Sequence, residues 1–189
     1  MIIMKKSKSL PVCFNQLFLY TDGACRGNPG PGATAYYAFI PNFFSLSSKE
    51  EIVLSHGGHY YPQTTNNEME LLAILEGISF VERLLIKHKK NNLSDSSPPI
   101  QIQVFSDSQY CVKGMNEWRF KWANQNWHRS GKAPLKNKDL WQQLDQKEKI
   151  LKNTYPLNFS FIWVKGHDIN KWNIACDTLA NKILDTYSS

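Results

Sequence analysis

The chain has 189 residues, 42% of them hydrophobic and 13% aromatic, which is enough apolar material for one domain with its own core and too much for a disordered chain. A net charge of +6 and a pI near 9.1 favour a polyanionic partner. Cys13, Cys25, Cys111 and Cys176 are scattered with no CxxC pair, which argues against a zinc site or a disulfide framework and predicts reduced thiols in a cytoplasmic protein; no apolar run approaches membrane-spanning length.

Residues 1–11 read as a flexible basic leader without the apolar stretch of a signal peptide, and residues 12–187 as a single domain. Val12–Thr21 is apolar and aromatic and reads as a strand, followed by a tight Gly/Pro turn over Gly23–Gly32. Ala33–Ile40 is a second strand, Pro41–Lys49 a loop, and Glu51–Tyr61 a third strand. Asn67–His88 carries the clearest helical period: at about 100° per residue, Leu71, Ile74, Leu75, Ile78, Val81 and Leu85 share one arc. Thr65, Asn66 and Asn67 are its candidate caps. Lys89–Pro99 is polar and Ser/Pro-rich and reads as a loop, Ile100–Phe105 as a short strand, and Ser108–Met115 as the start of a helix.

Over Asn116–Asn137, Trp118, Trp122 and Trp127 interleave with Arg119, Lys121, His128, Arg129, Lys132 and Lys136. Lys138–Lys152 reads as an exposed helix, Asn158–Val164 as a strand and Lys171–Tyr187 as a terminal helix. This order predicts an α/β domain with a mixed sheet and helices packed on it.

Four carboxylates stand in unusual local sequences: Asp22 in FLYTDGACRGNPGPG, Glu70 in TTNNEMEL, Asp107 in IQVFSDSQY and Asp177 in NIACDTLA. Each has a bland explanation. Asp22-Gly23 is a common turn pair, Asp107 follows a strand where a helix cap is the usual role, and Glu70 and Asp177 sit in helices where surface charge is ordinary. Against this, Glu70 lies at the edge of the apolar arc near Ile74 while Glu76 points away, and Asp177 flanks the stripe of Trp172, Cys176, Leu179 and Ile183. Two carboxylates at strand ends and two on inner helix margins predict convergence at one edge of a sheet. Hard divalent cations prefer such oxygen ligands, and paired cations need several carboxylates to offset their charge.

With these motifs in the order TDGACRGNPGPG, TTNNEMEL, SDSQYCVKG, the Trp-rich stretch ending in LKNKDLWQQL, and WVKGH before NIACDTLA, the chain resembles a type 1 ribonuclease H of the bacterial ribonuclease HI family, from about Phe14 to Ala180. The resemblance implies a ribonuclease H-like fold: a five-stranded mixed sheet, three strands antiparallel and then parallel strands, flanked by helices and carrying a basic Trp-rich handle. It implies endonucleolytic hydrolysis of the RNA strand of an RNA/DNA hybrid, leaving 5′-phosphate and 3′-hydroxyl ends; with no feature that demands a dimer, a monomer without an obligate protein partner is the default expectation. Asp22, Glu70, Asp107 and Asp177 would hold two Mg²⁺ ions, with Mn²⁺ as a substitute. Asp22 would bridge them, Asp107 sharing the ion that activates water, and Glu70 and Asp177 the ion at the leaving 3′-oxygen. His167 in WVKGH matches the family histidine that assists proton transfer or product departure, and Asn173 a supporting residue beside it.

Cys25, Asn28, Asn66, Asn67 and Gln109 match positions that contact the hybrid, and Asn28 with Thr65 resembles a pocket for a DNA phosphate. Trp118, Trp122 and Lys136 fall in the handle, while Trp141 reads as a packing residue. The chain departs from the family pattern in a less lysine-rich handle, in ATAYYAFI after the glycine turn, and in Trp172 close after the His167 loop. It also leaves no room for a separate hybrid-binding domain, which predicts low processivity. Two other readings compete: a hybrid-binding module that has lost catalysis, against which the intact carboxylates argue, and a transposase-type nuclease on the same fold, against which NNEMEL and SDSQY argue.

Overall fold

The computed structural model describes residues 15–41, 51–92, 98–128, 134–166 and 169–187, so the leader, most of the loop predicted after Pro41 and His167 lie outside the described residues. β1 (Gln16–Cys25) pairs antiparallel with β2 (Gly30–Pro41), and β2 in turn with β3 (Glu51–Gly57) and β4 (Tyr60–Thr64). On its other side β1 runs parallel to β5 (Ile100–Ser106), which runs parallel to β6 (Leu157–Trp163). The resulting order is β3-β2-β1-β5-β6, with β4 also on β2. This is the mixed sheet of the ribonuclease H-like fold.

Strand alternation sends successive side chains of β1 to opposite faces. Leu17 and Leu19 join Ile102, Val104, Ile74, Ile78 and Leu85 in the main core beneath α1 (Asn66–Asn92) and α4 (Lys138–Thr154). Phe18 and Tyr20 face the smaller second core, where α5 (Lys171–Tyr187) contributes Cys176, Ala180 and Leu184. Both faces of the sheet are thus covered, and Asp22 and Asp107 stand toward the end where β1 and β5 finish.

Three differences from the sequence reading have physical causes. The Gly/Pro segment is mostly strand: β1 continues through Gly23, Ala24 and Cys25, and β2 begins at Gly30, so the turn shrinks to Arg26–Pro29. The third strand is split at Gly58 and His59, where the Thr34 hydroxyl accepts from the His59 amide and the Thr34 amide donates to the His59 carbonyl. Register is nonetheless retained, with Tyr36 opposite Gly57 and Ala33 opposite Tyr60. Finally, α4 is not an exposed helix: Trp141, Leu144, Asp145, Glu148 and Leu151 form a buried face. Among the described residues no helix is long and apolar enough to cross a membrane, and Cys25, Cys111 and Cys176 are free thiols.

Candidate active site

Asp22 lies three residues from the end of β1, opposite Ala35 of β2, while Asp107 is the first residue beyond β5. Parallel neighbours β1 and β5 therefore deliver both carboxylates to the same sheet edge. Glu70 comes from the start of α1, and a glycine sets its approach. A Cβ on Gly23 would lie 2.3 Å from the Glu70 backbone nitrogen, so only glycine lets α1 sit against β1 here. Thr65 fixes the helix start in a reciprocal cap: the Glu68 amide donates to its hydroxyl at 3.4 Å, and its own amide donates to the Glu68 carboxylate at 2.8 Å.

Ligand oxygens of Asp22, Glu70 and Asp107 all lie within 4.8 Å of one another. At such separations each pair of ionised carboxylates repels by about 3–4 kcal/mol at an effective dielectric of about 20. The carboxyls of Asp22 and Glu70 respond to burial first and to this repulsion second. Burial, then the neighbouring Asp107 and Asp177, push the Asp22 carboxyl up to about 7, although the Gly23 amide donates to its Oδ1 at 2.8 Å. Burial, then Asp22 and Asp107, raise the Glu70 carboxyl well above the usual carboxylate range. Glu70 Oε2 is buried without a hydrogen-bond partner. A buried orphan oxygen in an all-carboxylate set is the arrangement a hard divalent cation satisfies, so the residues fit the metal expected of them.

Asp177, in the second turn of α5, stands outside the close trio but lines the same cavity of about 320 Å³. Asn173, one helical turn earlier and 3% exposed, donates from Nδ2 to Asp107 Oδ2 at 3.1 Å. It therefore acts on the carboxylate rather than offering a surface contact. Asn170 caps α5, accepting from the amides of Trp172 (3.1 Å) and Asn173 (3.3 Å), and donates to the Tyr20 hydroxyl at 3.0 Å. Trp172 is committed to the sheet: its ring stacks on Phe39 at 4.6 Å and its Nε1 donates to Glu51 at 2.9 Å. His167 itself is not described, but a side chain on its neighbour Gly166 would meet Asp107 Oδ2 at 2.8 Å. The strand after the catalytic edge is tied in as well, with Trp163 Nε1 donating to the Asp107 carbonyl at 3.0 Å.

The predicted substrate residues fall in two places. Cys25 and Asn66 line the carboxylate cavity. Asn28, exposed in the β1–β2 turn, accepts from the Asn66 amide at 3.0 Å and so joins that turn to the Thr65 cap. Asn67 is exposed on the first turn of α1, and Gln109 is exposed at the start of α2 (Gln109–Lys113), whose cap is Ser108 rather than Asp107. The tryptophans are more distant. A π-helical turn (Gly114–Trp118) joins α2 to α3 (Arg119–Asn124), and Trp118, Trp122 and Trp141 form one aromatic chain with Tyr110. Trp141 is fully buried and donates to the Tyr110 hydroxyl at 3.0 Å, while Trp118 and Trp122 are half-buried and Lys136 is exposed.

Sequence reasoning missed one buried and one half-buried network. Arg119, taken as a handle cation, is 4% exposed; its Nη1 lies 3.4 Å from Asp145, and its Nη2 pairs with Glu148 at 2.5 Å without hydrogen-bond alignment. The signal was present in α4, where Asp145 and Glu148 occupy apolar positions of the helical period. Glu76, which does point away from Glu70, accepts from Thr34 at 2.7 Å and Tyr61 at 2.9 Å beneath the split strand.

A mixed sheet of this topology with a carboxylate cluster at the ends of its central parallel strands defines the ribonuclease H-like class of nucleases. The solved structure of LC9-RNase H1, a type 1 enzyme with the type 2 active-site motif, superposes with a TM-score of 0.67 at 23% identity, covering 95% of this chain and 75% of that one. LC11-RNase H1, solved in complex with an RNA/DNA hybrid, gives 0.58 at 21% identity, covering 92% and 99%. The RNase H family profile matches residues 15–185. The ribonuclease H of Treponema denticola is 42% identical over 86% of this chain and 92% of its own length, and that of Albidiferax ferrireducens 37% identical over 89% and 93%. The chain belongs to the ribonuclease H family, in its type 1 branch, and its activity is hydrolysis of the RNA strand of RNA/DNA hybrids.

Proposed function

We propose that this hydrolysis takes place in the carboxylate cavity, with Asp22, Glu70, Asp107 and Asp177 together holding two Mg²⁺ ions and the products carrying 5′-phosphate and 3′-hydroxyl ends. The observation that carries this reading is the orphaned, buried Glu70 Oε2 beside Asp22 and Asp107. Bound divalent ions supply charge neutralisation and a water of lowered pKa. The protein's own part is positional. Asp22 is central, since it is close to both Glu70 and Asp107 and is also under the field of Asp177. Asn173 holds Asp107, and the Gly23 amide steadies Asp22. Gly166, the residue before His167, lies against Asp107, and this supports the reading of His167 as a proton carrier.

Selection of the hybrid falls to groups around this centre. Cys25, Asn66, Asn67 and Gln109 face the strand to be cut, where a 2′-hydroxyl identifies RNA. Asn28 and Thr65 present a polar pocket to a phosphate of the uncut strand. Trp118, Trp122 and Lys136 meet that strand further along, through sugar packing and charge. The protein acts as a monomer.

The test is cleavage of one sequence presented as hybrid, single-stranded RNA, duplex RNA, single-stranded DNA and duplex DNA, with Mg²⁺, with chelator, and with Asp22→Asn. Cutting of the hybrid's RNA strand alone, abolished by chelator and by the substitution, is the expected result. Hybrid bound without product under Mg²⁺ or Mn²⁺ would leave a binding module, and cutting of duplex DNA would favour the transposase-type alternative.

A further inference from the structure

Asp177 differs from the other three carboxylates. It lines the cavity, and its charge raises the Asp22 carboxyl, yet it stands outside the cluster whose oxygens approach within 4.8 Å. One side chain accounts for its placement. Asn181, one turn later on α5 and half-buried on the same cavity wall, donates from Nδ2 to Asp177 Oδ1 at 2.9 Å and to the Asp177 backbone carbonyl at 3.0 Å. A single amide group that spans the carboxylate and the main chain of the same residue fixes how that carboxylate is turned. It also occupies Oδ1, one of the two carboxylate oxygens of a residue that lines the cavity. An unrestrained aspartate on a helix would sample several rotamers, including ones pointing away from the cavity.

We propose that Asn181 is a positioning residue for Asp177. It holds the fourth carboxylate facing the cavity but apart from the close trio, with one oxygen available to a divalent ion, and so sets the affinity of the cation position that Asp177 completes. The inference rests on the reading of Asp177 as a metal ligand. Groups that orient a ligand from behind in this way typically change metal affinity by about 10–100-fold when removed.

The experiment measures binding of Mn²⁺ alone, by electron paramagnetic resonance titration of the full chain, for wild type, Asn181→Leu, Asn181→Ala and Asp177→Asn. Leucine keeps the branched shape of asparagine without its hydrogen bonds, and alanine suits a helix should the bulkier leucine pack poorly. Both Asn181 variants are expected to weaken one Mn²⁺ position about tenfold, the same position that Asp177→Asn weakens, and to shift the Mg²⁺ dependence of hybrid cleavage upward in step. KM for the hybrid at saturating Mg²⁺ should stay unchanged, which a merely structural lesion would not leave in place. Unaltered Mn²⁺ affinity in both variants, with Asp177→Asn weakened, would overturn the role of Asn181 alone. Unaltered affinity in Asp177→Asn would overturn the reading of Asp177 as a ligand, and this proposal with it.

Discussion

Asp22 bears opposing demands: the main-chain path that brings it beside Glu70 and Asp107 also buries it to 7% exposure. Its carboxyl is raised from 3.8 to about 7, by burial first and then by Asp107 and Asp177, and Glu70 moves in the same direction. A carboxyl that holds its proton more tightly in the folded protein than in the unfolded chain gives a contribution that is complete below about pH 4 and is lost as the pH rises through about 7. Asp22 alone would contribute about 4 kcal/mol as a ceiling across that window. The metal-free protein is therefore expected to melt several degrees lower at pH 8 than at pH 5. Asp22→Asn should flatten that slope and raise the melting temperature at pH 8, while Mg²⁺ at pH 8 should stabilise wild type more than the variant. Calorimetry in chelator and in Mg²⁺ checks all three. A melting temperature independent of pH in chelator would mean that the carboxylates do not repel as their geometry requires.

Among the elements, the joint between the Trp-bearing segment and α4 is the least expected part. Arg119 Nε donates to the Met115 carbonyl at 2.6 Å in the π-helical turn, while its guanidinium faces Asp145 and Glu148 on α4. Lys149 and Lys152 reach the outer oxygens of the same two acids at 2.7 and 2.6 Å. Gly114 matters to this joint too, since a Cβ there would sit 2.0 Å from the Trp141 ring. Arg119→Met is expected to destabilise by about 3–5 kcal/mol, because two buried carboxylates lose their inner partner, with the lysines holding the loss toward the lower end. Urea denaturation should show a lower midpoint at constant slope, and kcat of the remaining folded protein should be unchanged. A fall in kcat without loss of stability would instead place Arg119 in substrate handling.

Such features explain what the sequence disclosed and what it hid. The strands, the long α1 and α5 announced themselves because apolar period and burial coincide in them, as Ile74, Ile78 and Leu85 show. The carboxylates were legible because their neighbours are unusual: Gly23 is forced by contact with α1, and the Thr65–Glu68 cap is written in the local sequence. Arg119 was misread because composition records charge but not burial. The split in the third strand depends on a hydroxyl from the partner strand, Thr34, and a contact so distant in sequence leaves no local sign. The coupling of Asn181 to Asp177 spans four residues, yet a helical asparagine near an aspartate is too common to signal a role.

At the scale of the whole molecule, charge is divided by function. The acids of the carboxylate cavity gather at one sheet edge, Asp145 and Glu148 are neutralised internally, and the chain as a whole still carries +6. A positive excess of this kind suits a polyanionic partner, and phosphate is the partner that the family's activity supplies. Each cation that contacts a phosphate releases condensed counterions, so binding of a hybrid should fall steeply with salt, and each lost contact should lower the slope of log affinity against log salt by about one. Lys136 is exposed just before α4 and precedes Asn137, which donates to the Tyr110 hydroxyl at 3.3 Å, a position that suits such a contact. With Asp22→Asn as the cleavage-incompetent background, fluorescence anisotropy of a labelled hybrid from low to moderate salt should give Lys136→Ala a slope shallower by about one and an equal loss of affinity across unrelated sequences. Arg119, paired internally, lies outside this count. An unchanged slope for Lys136→Ala would move the electrostatic footprint away from the Trp-bearing segment and onto the Asn28–Thr65 side of the cavity.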